Sequence, residues 1–141
     1  MEELSIKDRL DLKITDLRKY LKFLINNFPK KLEDYEKDER AKAICERFFE
    51  KIVEAMIDAG FFVVKLKKLR IPLLDESVFS VLAESKIINN ELAKRLTDAK
   101  SMRNFIIHQY GGIDDEKVFI AIKDELISDT EEFIKCVKRV R

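Results

Sequence analysis

The sequence predicts an all-α protein, an antiparallel up-down bundle of four long helices plus one short helix. Three observations carry that prediction. Only 3 Gly and 2 Pro occur in 141 residues, too little punctuation for the many turns of a sandwich or barrel. Apolar residues recur at alternating spacings of three and four along most of the chain, the period of an amphipathic helix. Hydrophobic residues make up 46% and charged residues 39%, which excludes a disordered or membrane-embedded chain. The length fits one domain, 1–141.

The elements follow in order. Leu10, Ile14, Leu17, Leu21, Leu24 and Phe28 form the stripe of a first helix that ends before Pro29. Ile44, Phe48, Ile52, Ala55, Ala59, Phe62, Leu66 and Leu69 mark a second, longer helix, with Gly60 inside it and Pro72 closing it. Asp75 opens a short helix that runs through Ala83. Asn89 or Asn90 caps a fourth helix from Glu91 to about Gln109, stopped by Gly111-Gly112. Asp114 and Asp115 start the last helix, whose stripe is Val118, Ile122, Leu126, Phe133, Val137 and Val140. No repeat, low-complexity stretch or linker interrupts these segments.

Charge and cysteine usage narrow the function classes. Basic and acidic residues number 28 and 27, a net of +1, so bulk charge alone draws the chain to neither nucleic acid nor anionic lipid. Cys45 and Cys136 belong to no C-x-x-C pair, and His108 is the single histidine. A Cys/His zinc site within one protomer is therefore excluded, and neither a metal nor a cofactor is expected. The two thiols read as buried groups of a reduced, cytoplasmic protein. MEELSIKDRL lacks the apolar core of a signal peptide. The longest uncharged apolar run, AGFFVV, falls far short of the ~20 residues of a membrane span.

One stretch does not read as scaffold: SMRNFIIHQYGG, from Ser101 to Gly112. Phe105, Ile106 and Ile107 point about 100° apart round a helix, so this turn wants burial on more than one side. Arg103, Asn104, His108 and Tyr110 are interleaved with them, and polar groups among apolar ones are costly unless partnered. Arg103 and Tyr110, seven apart, differ by about 20° and continue the stripe of Leu92, Leu96 and Ala99. Asn104 and His108 share a neighbouring face. From Ser85 to Gly112, Lys86, Lys94, Arg95, Lys100 and Arg103 face only Glu91 and Asp98, which suits an anionic occupant. Arginine's planar fork matches phosphate, and histidine titrates where acid–base chemistry wants it. The plain alternative is a packed histidine, a helix–helix ion pair and a tyrosine cap.

The string Arg103-Asn104-x-x-x-His108-x-Tyr110, followed by Gly112 and Asp114, resembles the R-x-x-x-x-H-x-Y motif of HEPN-domain proteins. It is most similar to the HepT-like toxin branch, often found beside a minimal nucleotidyltransferase antitoxin. DERAKAICERFFEKIVEAMIDAG, with Glu46, Arg47 and Asp58, and IPLLDESVFSVLAESKIINNELAKRL extend the resemblance from about Asp38 to the C-terminus. The first helix fits by pattern only. The resemblance implies a metal-independent endoribonuclease toxin that works as a homodimer, with Arg103 and His108 as the catalytic pair and Asn104 as polar support. It implies that the partner nucleotidyltransferase silences the toxin by adenylylating Tyr110. A reading from another class is a non-catalytic dimeric module that binds a nucleotidyltransferase and its nucleotide or substrate.

RNA carries its own nucleophile, the 2′-hydroxyl. Cleavage then needs a base, a charge stabiliser at phosphorus and an acid for the leaving 5′-oxygen. One histidine does not readily serve as both acid and base, and His108 lies about 140° round an ideal helix from Arg103. Convergence on one phosphate therefore requires a distorted last turn or a second His108 across a dimer. The basic clusters Lys65–Arg70 and Lys135–Arg141 read as helix ends that favour the macrodipole, with an RNA-tracking surface as the alternative.

Overall fold

The computed structural model describes residues 4–75, 77–108 and 114–141. Helix α1, Ile6–Asn27, starts where the Ser5 hydroxyl accepts the Asp8 amide at 3.0 Å, and its five buried residues are Leu10, Ile14, Leu17, Leu21 and Leu24. It runs antiparallel to α3, Glu39–Leu66, with Lys13 paired to Asp58 at 3.2 Å near one end and the Cys45 thiol donating to the Asn27 carbonyl at 3.8 Å near the other. Helices α4, Ser77–Glu84, and α5, Asn90–His108, pack on the opposite side of α3. The chain closes with α6, Asp115–Ala121, and α7, Ile127–Val140, joined without a break by a π-helical turn over Ile122–Leu126. The expected antiparallel all-α bundle is the observed one, with α1, α3, α5 and the α6–α7 rod as its long members.

The differences from the sequence reading have local causes. A sixth segment, α2 (Leu32–Lys37), precedes α3. At six residues it is too short and too polar to show a period, and burial of Tyr35 against Phe28 and Phe119 holds it. The core residues of α3 include Cys45, Phe49, Ile52, Val53, Met56, Ala59 and Val63, a stripe rotated from the one through Ile44, Phe48 and Phe62. A helix packed between α1 and the α4–α5 pair is buried on two sides, so one stripe does not describe it. Gly60 marks a close crossing: a Cβ there would stand 2.9 Å from Val78 Cγ2 of α4.

Two helices end on lysine where glycine is usual. Lys68 (φ 55°) and Lys86 (φ 60°) take the left-handed conformation. The Leu69 amide then donates to the Val64 carbonyl, and the Ile87 amide to the Leu82 carbonyl, at 2.9 and 3.0 Å. These are Schellman ends, and they stop α3 at Leu66, well before Pro72. Asn89 is the cap of α5, its side-chain oxygen accepting the Leu92 amide at 2.7 Å. Asp114 caps α6 as expected, accepting from Lys117.

Of the two thiols, Cys45 is fully buried and burial pushes its pKa up to about 12. Cys136 is only half-buried, against the expectation of two core cysteines. No described helix is long and apolar enough to cross a membrane.

Candidate functional site

The last three turns of α5 carry the polar residues that the sequence singles out. Leu92 and Leu96 anchor the helix in the core, and Ile106 continues that anchoring at 7% exposure. Phe105 and Ile107 stay half-buried on the flanks. Arg103 lies on the inner side: its side chain is 14% exposed, and one Nη donates to Glu54 Oε1 of α3 at 3.3 Å. Glu54 itself is half exposed. The Arg103 Nε–H is buried with no hydrogen-bond partner among the described residues. A guanidinium inserted this far normally has its five N–H donors occupied, so this one retains an unused donor.

The other site residues are arranged differently. Asn104 is half-buried, and His108, the last residue of α5, is exposed. The helix stays regular through His108, so Arg103 and His108 leave the axis about 140° apart. A distorted turn that brings the two together does not occur before His108. Tyr110, with Gln109, Gly111 and Gly112, lies outside the described residues.

The positive charge of this segment is partly spent on the scaffold. Arg95 donates to Asp129 Oδ1 at 2.9 Å and reaches Glu132 at 3.4 Å, tying α5 to α7 and neutralising an Asp129 that is 6% exposed. Glu54 and Asp129, which decide what each arginine does, escaped the sequence reading. Both lie about fifty and thirty-four positions from their partners. The only sequence signal for Glu54 is its place on the outward stripe Arg47, Lys51, Glu54 and Asp58 of α3. Among the described residues no group of three or more His, Cys, Asp or Glu side chains is arranged to hold a metal.

Comparison with known proteins fits this arrangement. The family described as Ribonuclease HepT-like matches residues 14–137. A tRNA nuclease HepT from Aphanizomenon flos-aquae is 30% identical over 122 residues, covering 86% of this chain and 80% of that protein. Among solved structures, a chain from the tri-AMPylated Shewanella oneidensis HEPN toxin in complex with MNT antitoxin superposes with a TM-score of 0.84. It is 20% identical and covers 97% of this chain and 99% of its own. YutE of Bacillus subtilis, a cytosolic protein of unknown function, follows the same path with a TM-score of 0.79 at 14% identity, over 94% of this chain and 88% of that one. These structural likenesses are likenesses of fold. The family match and the nuclease relative go further: the chain belongs to the HepT-like ribonuclease family, whose members are endoribonucleases built on the HEPN bundle.

Proposed function

We propose that this protein is the ribonuclease toxin of a two-gene module, cleaving RNA without a metal through Arg103 and His108 and silenced by adenylylation of Tyr110. Arg103 carries the proposal. Its inward guanidinium, with one long ion pair and one idle buried N–H, is suited to receive a phosphate that has more acceptor oxygens to offer than Glu54 supplies. In the reaction a base removes the 2′-hydroxyl proton, the 2′-oxygen attacks phosphorus, and the bond to the 5′-oxygen breaks as an acid protonates it. The products are a 2′,3′-cyclic phosphate and a free 5′-hydroxyl. Arg103 offsets the charge that builds on the phosphoryl oxygens. His108 serves as base or acid, and Asn104, beside Arg103 in the chain, orients the phosphate.

The opposite bearings of Arg103 and His108 favour a homodimeric site. Both His108 side chains then reach one phosphate held by a guanidinium in the shared cleft, and the two histidines divide the acid and base roles. Phe105 and Ile107, half-buried on the flanks of the same turn, give that interface apolar area. The antitoxin partner is a minimal nucleotidyltransferase, in keeping with the toxin–antitoxin complexes that share the fold. An AMP group on Tyr110 would add bulk and negative charge within two residues of His108, opposing RNA phosphate.

The test is cleavage of a mixed RNA pool in excess EDTA by the wild type and by His108→Ala, with Tyr110 first shown to be unmodified by intact mass. Cleavage by wild type alone, leaving cyclic phosphate ends, is the expected result. No cleavage by either protein would instead favour a non-catalytic module that docks onto a nucleotidyltransferase.

A further inference from the structure

A second cluster suited to nucleic acid lies on α1 and α3, away from Arg103. Tyr20 and Phe23 of α1 meet Phe48 and Lys51 of α3 around an open pocket of about 520 Å³, rimmed by Lys19, Lys22 and Asn26. The Phe23 and Phe48 ring centroids are 4.5 Å apart and tilted by 33°, and Tyr20 stands edge-on to Phe48 at 5.9 Å. The Lys51 ammonium lies over both rings, 4.9 Å from Tyr20 and 5.2 Å from Phe48. Phe23 is 42% exposed, so a large face of one ring stays in water.

Charge around the pocket is uneven. Among the described residues no carboxylate pairs with Lys19, Lys22 or Lys51, and three acids of α3 are engaged elsewhere: Glu50 by Arg47, Glu54 by Arg103 and Asp58 by Lys13. Asp16, one turn before Tyr20 on α1, is the acid left beside these lysines. An open aromatic face ringed by unneutralised cations is the arrangement that stacks a base and holds its flanking phosphates. Its position matters as well. Lys51 and Glu54 are less than one turn apart on the outward stripe of α3, and Glu54 holds Arg103. A strand whose phosphate sits at Arg103 can therefore continue over Lys51 to the rings.

We propose that the pocket formed by Tyr20, Phe23, Phe48 and Lys51 is a base-stacking subsite for single-stranded RNA. A nucleobase lies against Phe23, and adjacent phosphates meet Lys19, Lys22 and Lys51. The inference rests on the ribonuclease reading for the identity of its ligand.

The chain has no tryptophan, so Phe23→Trp installs a sole indole where the base is expected. The probe is a short single-stranded oligonucleotide carrying 2′-O-methyl groups, which removes the nucleophile and prevents turnover. Its abasic counterpart is the control. Saturable quenching by the base-bearing oligonucleotide but not by the abasic one is expected. In the otherwise native chain, Phe23→Leu should weaken oligonucleotide binding about tenfold and raise KM for cleavable RNA. Unchanged indole fluorescence, or a Phe23→Leu protein that binds as tightly as wild type, overturns the subsite. So does a Phe23→Leu protein that loses only its nucleotidyltransferase partner, since the face would then dock protein. Quenching by the oligonucleotide in a protein that cleaves no RNA would keep the subsite and remove the ribonuclease reading. Cleavage without quenching would do the reverse.

Discussion

Two arginines eight residues apart on α5 sit in contrasting surroundings. Arg95 is the more exposed of the two, yet two carboxylates hold it and one of these is a buried Asp129. Arg103 is the more buried, yet among the described residues it has one half-exposed carboxylate at 3.3 Å and an idle Nε–H. If both were structural, the deeper charge should be the better satisfied, because desolvation costs more there. The inversion shows that a charged side chain can be placed for packing and leave its hydrogen-bonding capacity open, as a binding group requires. Arg95 closes its charge inside the bundle. Arg103, among the described residues, keeps one donor open.

The widest separation should come from activity. Arg103→Ala should lower RNA cleavage about a hundred- to a thousandfold while circular dichroism and Tm stay near wild type. His108→Ala should lower cleavage at least about a hundredfold. Arg95→Ala should do the opposite, costing about 2–3 kcal/mol in urea unfolding because Asp129 loses its partner, with cleavage by the folded fraction retained. If Arg95→Ala proves harmless to stability and Arg103→Ala unfolds the chain, the contrast between the two is broken.

A finer probe is Glu54→Gln. An exposed pair contributes little, so unfolding free energy should change by less than about 1 kcal/mol. Freed of a competing carboxylate, Arg103 should then bind RNA up to about fivefold more tightly in a filter assay. Weaker binding would instead make Glu54 part of the phosphate site. Lys86→Gly, which relieves a left-handed lysine at a helix end, should stabilise by about 0.5–1 kcal/mol.

The smallest effect belongs to Glu46. Its carboxyl is pushed up chiefly by burial and then by Asp115, with Lys42 opposing. A carboxylate raised in the folded state costs stability once ionised, and that cost fades as pH falls through the raised value. Glu46→Gln should give a slight rise in Tm at neutral pH that disappears in acid.

Much of the bundle was legible because long helices announce themselves by period. Ser101–Gly112 stood out because polar groups interrupted an apolar turn. Other features were hidden because they exist only between elements. Phe23 and Phe48 belong to separate helices, and no local pattern joins Phe23 to the Phe48–Lys51 pair of α3. Glu54 and Asp129 look like ordinary surface acids until the fold brings an arginine to each. Tyr35 shows the converse: a polar hexapeptide is helical because one aromatic ring is buried.

The π turn at Ile122–Leu126 has a consequence for insertion and deletion. There the backbone counts five residues between bonded groups, with the Ile127 amide reaching back to the Ile122 carbonyl, so the rod carries one residue more than an ordinary helix of that path. Removing a single codon, such as that of Lys123, would leave a continuous helix with good hydrogen bonds. Everything beyond it would keep its bearing, with Asp129 still toward Arg95 and Phe133 still in the core. The same deletion inside the regular turns of α7 would instead swing the residues beyond it by about 100°. The last helix can therefore lose one residue at this turn and keep its phase against α5, a tolerance its regular turns do not share.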